Sequence, residues 1–255
     1  MVHKKRKNHI LVFYMDFLRR NWIRLILVIG YQIFMAFTII QDMMLGGENV
    51  TFGDCWYASF AGALEMSGED KFELPVLWMI FHALMLYLMF DYLSDCSKGV
   101  GLQQLLRMRN RKKWYWELCC IMISNILGYY AVYFIILRIV SGFYNISFAL
   151  VESQMNTFIG NFVLLACTSL ALFFIQNLIG IFCNEMIAYM ISLGGLVISV
   201  YWKSYWLLGN YAMLSRVNLY REDGLSISTG IVLCIIITVI AILCGMVGIS
   251  KKDIL

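Results

Sequence analysis

Apolar stretches of membrane-spanning length recur along the whole chain, separated by short polar segments. A helix needs ~20 apolar residues to cross the hydrocarbon core of a bilayer. Six stretches qualify or nearly so: residues 22–40, 74–92, 118–137, 158–182, 186–202 and 227–249. The pattern predicts an all-α integral membrane protein with six transmembrane helices. The fourth and fifth are hard to separate, because residues 158–202 contain no Lys or Arg and offer two candidate breaks, Gln176-Asn177 and Asn184-Glu185. The second is favoured, since it brings the ionised Glu185 to water, whereas a break at Gln176 leaves that charge inside a span.

Two segments depart from the pattern. In residues 1–21, Ile10, Phe13, Tyr14, Phe17 and Leu18 share one helical face while Asn8, Asp16, Arg19 and Arg20 lie elsewhere, which predicts a helix lying in the membrane interface. Its apolar stretch is short and interrupted by Asp16, so it does not read as a cleaved signal peptide. Residues 203–226, "KSYWLLGNYAMLSRVNLYREDG", are too apolar for a solvated loop and too interrupted for a span. They predict an outer segment that re-enters or lies flat. Trp22 at the entry to the first span, and Tyr205, Trp206 and Tyr211 in the outer segment, suit the headgroup level as interface anchors. No repeat or linker divides the chain, and residues 1–255 read as a single membrane domain.

Composition agrees: 61% of the 255 residues are hydrophobic, 14% are charged and one is proline, which excludes a soluble domain of ordinary makeup. The net charge of +4 is small and uneven, so nucleic acid is not inferred from it. Lys and Arg gather in residues 1–21, in the segment between spans two and three, and at Lys251 and Lys252. The Lys/Arg bias therefore places both termini and residues 93–117 in the cytoplasm. Residues 41–73, with seven acids against Lys71, and the base-free residues 142–157 should be outside. Lys203, Arg216 and Arg221 sit awkwardly in what must be an outer segment.

Candidate chemistry is sparse. The eight cysteines show no CxxC pair and no zinc spacing with histidine, and no metal site is expected. His82 has no second histidine or carboxylate at helical spacing and reads as packed or interface-lining. Asp91 and Asp95 read as a solvated face, and Arg24 and Arg138 as snorkelling side chains that demand no counter-ion. The sequons at Asn49 and Asn145 are too short to weigh. No Gly-x-x-x-x-Gly-Lys-Ser/Thr run occurs, so the chain carries no nucleotide-hydrolysing loop and no cofactor of its own.

The basic-aromatic stretch "GLQQLLRMRNRKKWYWELCC", the outer "LLGNYAMLSRVNLY" and the terminal "SKKDIL" together resemble the permease subunits of export-type ABC transporters, in particular small six-span Gram-positive members. The outer stretch departs from many relatives in having leucine and glycine where they carry a proline. The resemblance implies a permease that pairs with itself or a sister subunit in a bacterial plasma membrane. A separate cytoplasmic ATPase would bind ATP and Mg and couple to Gly99, Gly101, Leu102, Leu105, Leu106, Arg107, Met108, Arg109, Arg111, Lys112 and Lys113, with Glu185 grouped beside them. Trp114, Tyr115 and Trp116 would anchor the exit of that segment in the headgroups. The cargo implied is an amphipathic peptide, such as an antimicrobial one exported or cleared for self-protection, or a lipid-like molecule; its contact residues are not legible. A non-transporting immunity or sensor protein is the rival from another class, and an intramembrane enzyme a further one, disfavoured by the missing ligand clusters.

Overall fold

The computed structural model describes residues 2–46, 50–63, 74–96, 110–148 and 152–251, with side chains for these apart from 2–13, 152–157 and 251. Helices α1 (Val2–Leu45), α2 (Phe52–Phe60), α3 (Val76–Leu88) and α4 (Tyr92–Cys96) are followed by α5 (Arg111–Phe143), α6 (Glu152–Phe182) and α7 (Glu185–Tyr201). A short α8 (Leu208–Tyr211), a 3-10 turn (Leu214–Arg216) and α9 (Ile227–Lys251) complete the described chain. Among the described residues strand pairing is limited to two isolated bridges, Thr51 with Ser147 and Val217 with Leu225.

Five helical stretches are long and apolar enough to cross a membrane: Tyr14–Leu45, Val76–Cys96, Arg111–Phe143, Phe158–Phe182 and Ile227–Ser250. The chain is a multi-pass membrane protein. The fifth stretch expected from the sequence is α7, whose 17 residues rise only about 25 Å and fall short of that length. Its break from α6 does lie at Cys183-Asn184, where the Asn184 side chain accepts from Met186 N at 2.9 Å. Gln176 and Asn177 stay inside α6, where Gln176 Nε2 donates to Leu86 O and Asn177 Nδ2 to Met122 Sδ.

Other boundaries differ from those the pattern suggests. Residues 2–21 are continuous with the first span in one 44-residue helix, since no Pro or Gly interrupts the turn around Trp22 and Asn21 bonds back to Phe17 O within the helix. The third span begins at Arg111 and not near residue 118, because Asn110 caps the helix there by accepting from Lys113 N at 3.2 Å. Hydropathy cannot see such a start: the first turns of α5 are polar.

α3 lies at the centre and its carbonyls take side-chain donors from its neighbours. Tyr31 of α1 donates to Leu77 O, Tyr129 of α5 to Phe81 O, Gln176 of α6 to Leu86 O and Tyr189 of α7 to Ala83 O. Each such bond satisfies a donor that hydrocarbon could not. Around this frame aromatic rings interlock, with Trp56, Phe60, Phe81, Tyr130 and Tyr133 all essentially buried.

One end of the bundle is closed by a cap built from α2 and residues 203–226. Leu208 through Val217 are buried, Trp78 Nε1 donates to Ala212 O at 2.8 Å, and the Tyr57 and Tyr220 rings pack at a tilt with centroids 4.3 Å apart. The cap is organised by Arg216, 3% exposed. Its Nε donates to Ala63 O at 3.1 Å, Nη2 to Val200 O at 2.7 Å, and Nη1 to Ser199 O and Asn210 Oδ1. Asn210 Nδ2 in turn donates to Trp202 O and Ser204 O. The last carbonyls of α7, which no intrahelical partner could satisfy, are thus met by a cation and an amide at the negative end of the helix dipole. The charge that looked misplaced in an outer loop is a helix cap.

The turn into the cap depends on Gly62, whose φ of +71° disfavours any other residue and whose missing Cβ leaves room for Met213 Cβ and Cγ. Gly62→Ala is expected to destabilise the protein by about 2–4 kcal/mol through backbone strain and overpacking. Denaturant unfolding in mixed micelles would read this as a lowered midpoint, and an unchanged midpoint would contradict the packing described.

Candidate functional site

The end opposite the cap carries Arg20, Arg24, Arg111, Lys112 and Lys113. α7 starts there: Gly180 of α6 faces Glu185 and Ala188, while the far end of α7 meets the cap through Ser199 against Gly209. The same end gathers the start of α5 and the finish of α9. Tyr115 is wedged where Gly245 leaves no room for a Cβ, with Ile181 alongside, and Gly248 touches Ile181 and Phe182. Arg111 Nη1 reaches Ser250 O at 3.5 Å, a long contact. Arg111, Lys112 and Lys113 of α5 and Glu185 of α7 therefore lie at the same end of the bundle.

The face is braced by ion pairs. Arg24 of α1 grips Asp91 bidentately, Nη1–Oδ1 and Nη2–Oδ2 both at 2.6 Å, and also donates to Asn21 Oδ1 at 3.0 Å. Its guanidinium lies 5.0 Å from the ring centroids of Tyr87 and Phe90. One turn earlier, Arg20 pairs with Asp16 at 2.8 Å and with Asp95 at 3.7 Å. The reading of Arg24 as a snorkelling chain that demands no counter-ion, and of Asp91 as part of a solvated face, is thus corrected, whereas Asp95, 41% exposed, does face water. The helix breaks at Met89–Asp91, which turns Asp91 toward α1, and the charges meet in a half-buried setting where water competes weakly.

Segment 97–109 connects these two supports. Gly99, Gly101, Leu102, Leu105, Leu106, Arg107, Met108 and Arg109 lie outside the described residues; what is described is the mounting on each side. Before it stand the clamped α4 and the buried Cys96. After it stand Asn110 and the first turn of α5. Arg111, Lys112 and Lys113 place three positive charges at a helix N-terminus, the wrong sign for the dipole. Helix stability does not account for them.

The anchors divide. Trp22, Trp116, Tyr205 and Trp206 are exposed on the bundle surface, whereas Trp114, Tyr115 and Tyr211 are buried within the protein. Helical spacing decides this: Trp114 and Tyr115 share a face with Leu118 and Cys119, which packs inward, and Tyr211 is held against Leu164 and Gly230. Arg138 lies 4.9 Å over the Phe148 ring at the surface.

Mid-bundle, His82 is fully buried with Nδ1 3.0 Å from Trp78 O and Nε2 3.4 Å from Tyr130 Oη. Tyr130 Oη lies 2.5 Å from Ser169 Oγ, and Tyr133 donates to Ser59 Oγ at 2.7 Å. Among the described residues no carboxylate joins this chain of groups, so it reads as a satisfied polar core. Among the described residues no three His, Cys, Asp or Glu side chains stand close enough to hold a metal ion. In the cap, burial and the neighbouring Asp54 push the Cys55 thiol up to about 11, so it carries no thiolate at neutral pH.

Sequence reasoning missed the Arg24–Asp91 and Arg216 clusters. A charge inside an otherwise apolar run was the available signal, but its partner lies 67 residues away for Arg24, and Arg216 is met by uncharged oxygens.

Residues 25–255 match the model of a family described as "Protein of unknown function (DUF2705)", and the chain belongs to that family. No curated protein and no solved structure matches it.

Proposed function

We propose that this chain is the membrane-spanning permease subunit of an ATP-driven exporter of the ABC type. It carries an amphipathic peptide or lipid-like cargo and is powered by a separate cytoplasmic ATPase. The observation that supports this best is the mounting of segment 97–109. A strongly basic connection is held on one side by ion pairs and on the other by a capped helix rooted in the bundle. A partner that pushed on such a connection would move α1, α3 and α5 together.

In this reading the membrane is crossed six times, with α7 as the fifth crossing. α7 lies antiparallel to α6 and reaches from Gly180 to the cap that covers Leu164, so the pair shares nearly the same depth. Residues 2–21, as the continuation of α1, are on the cytoplasmic side, and the cap of α2 with residues 203–226 is outside.

A charge-preserving scramble of residues 103–109 tests the coupling role, because it keeps the number of positive charges that set topology and attract anionic lipid. Insertion and abundance should stay normal, while co-purification of the ATPase should fall at least about tenfold, as should Ala substitutions at Leu105, Leu106 and Met108. A scrambled protein that still binds an ATPase and transports normally would reduce the segment to a topology and lipid signal.

A further inference from the structure

Three arginines of this chain meet aromatic rings or carbonyls in ways that differ in one respect. Arg24 has two rings and the Asp91 carboxylate, and Arg216 has four protein oxygens. Arg138 has a ring and no oxygen. Its guanidinium lies 4.9 Å from the Phe148 centroid, a contact that occupies one face of the plane. The five N–H donors lie at the edge of that plane. Among the described residues no ion pair and no side-chain hydrogen bond takes them; Ser141 Oγ donates to the Arg138 carbonyl and leaves the fork alone. One turn to either side on α5 stand Phe134, Ile135, Ser141 and Gly142, none of them acidic.

The surroundings say what supplies the missing anion. Arg138 is exposed, and so on the same helix are Val132, Ile135, Ile139 and Phe143, a stripe of apolar side chains that faces hydrocarbon in a multi-pass protein. The site is at the cap end: Phe52 N of α2 donates to Ser147 O at 3.3 Å, and the Phe52 and Phe148 ring centroids are 5.2 Å apart. Arg138 rises about 40 Å along α5 from Arg111, so it serves the opposite leaflet from the bases at the start of that helix. It also precedes the end of α5 by about 8 Å, and its stem lets the fork reach the headgroup boundary. Water there can take the N–H donors one at a time, but an anion also balances the charge beside apolar side chains. A phosphate diester offers two oxygens to two parallel N–H donors, the geometry that suits a guanidinium and not an ammonium.

We propose that Arg138, seated on Phe148, binds the phosphate diester of a phospholipid in the leaflet at the cap end, with an acyl chain lying along Ile135 and Val132. The site rests on the multi-pass architecture and not on the exporter reading, since occupancy needs no ATPase.

The test uses the full chain purified in an uncharged maltoside detergent and mixed with phosphatidylglycerol or diacylglycerol, each carrying a photoactivatable diazirine in one acyl chain. Cross-links are located by peptide mass spectrometry. Phosphatidylglycerol should label residues 132–139 about tenfold more than diacylglycerol, which has the chains without the phosphate. Arg138→Gln should bring that labelling down to the diacylglycerol level while labelling near Lys112 and Lys113 stays as it was. Phe148→Leu, which leaves the charge but removes the ring beneath it, should lower labelling about threefold. Excess inorganic phosphate should not displace the lipid. Equal labelling of residues 132–139 by the two lipids, or wild-type labelling of Arg138→Gln, would overturn the site. Loss of labelling in inorganic phosphate would overturn the lipid as its ligand in favour of free phosphate.

Discussion

Arg216→Leu is expected to destabilise the protein by about 3–5 kcal/mol, since one guanidinium satisfies four buried oxygens and its loss strands them together. Arg216→Lys should recover only part of the loss. An ammonium keeps a positive charge near the end of α7, but it cannot bridge Ala63 on one side and Ser199, Val200 and Asn210 on the other as a planar fork does. The two variants separate charge from geometry. In the proposed orientation Arg216 lies outside, so removing it does not weaken the Lys/Arg bias, and a defect cannot be assigned to insertion. Unfolding midpoints in mixed micelles provide the measurement. Arg216→Lys matching the wild type would mean that charge alone holds the cap, and Arg216→Leu matching it would mean that the cap stands without Arg216.

The second large effect is expected at Asp91. Asp91→Ala leaves the Arg24 guanidinium facing two rings and an amide with its carboxylate gone, at a cost of about 2–3 kcal/mol, given side chains that are 22% and 23% exposed. Arg24→Met should cost less, because Asp91 sits at a helix break near the polar end and can recruit water, while methionine still packs on Tyr87 and Phe90. A double-mutant cycle should show coupling of about 1–2 kcal/mol. Zero coupling would mean that the bidentate pair contributes nothing beyond packing. Loss of the pair should also loosen α4 and hence the mounting of segment 97–109, read as faster proteolysis there at unchanged abundance.

How far the site was legible follows from what kind of signal each part carries. The break at Asn184 could be read because a capping side chain and an acid adjoin in an otherwise apolar run. The start of α5 at Arg111 could not, since three bases oppose the helix dipole and only the Asn110 cap supports them. Trp114 and Tyr115 resemble headgroup anchors by composition, yet both are buried in the core, Tyr115 against Gly245 of α9. An aromatic beside a run of bases fits either place, and only the neighbouring helices choose.

The sequence by itself determined that the chain is helical, multi-pass and apolar on its outer surface, because ~20 apolar residues in a row leave the backbone no way to satisfy its hydrogen bonds in lipid except within a helix. That is a local requirement, met residue by residue. Tertiary structure alone decided that Arg24 belongs to Asp91, that Arg216 ends α7 and that α3 accepts donors from four neighbouring helices. Those are pairings between residues far apart in the chain, in a medium where polar groups must find one another. Hydropathy records how many polar groups each span carries, but not which partner lies across the bundle.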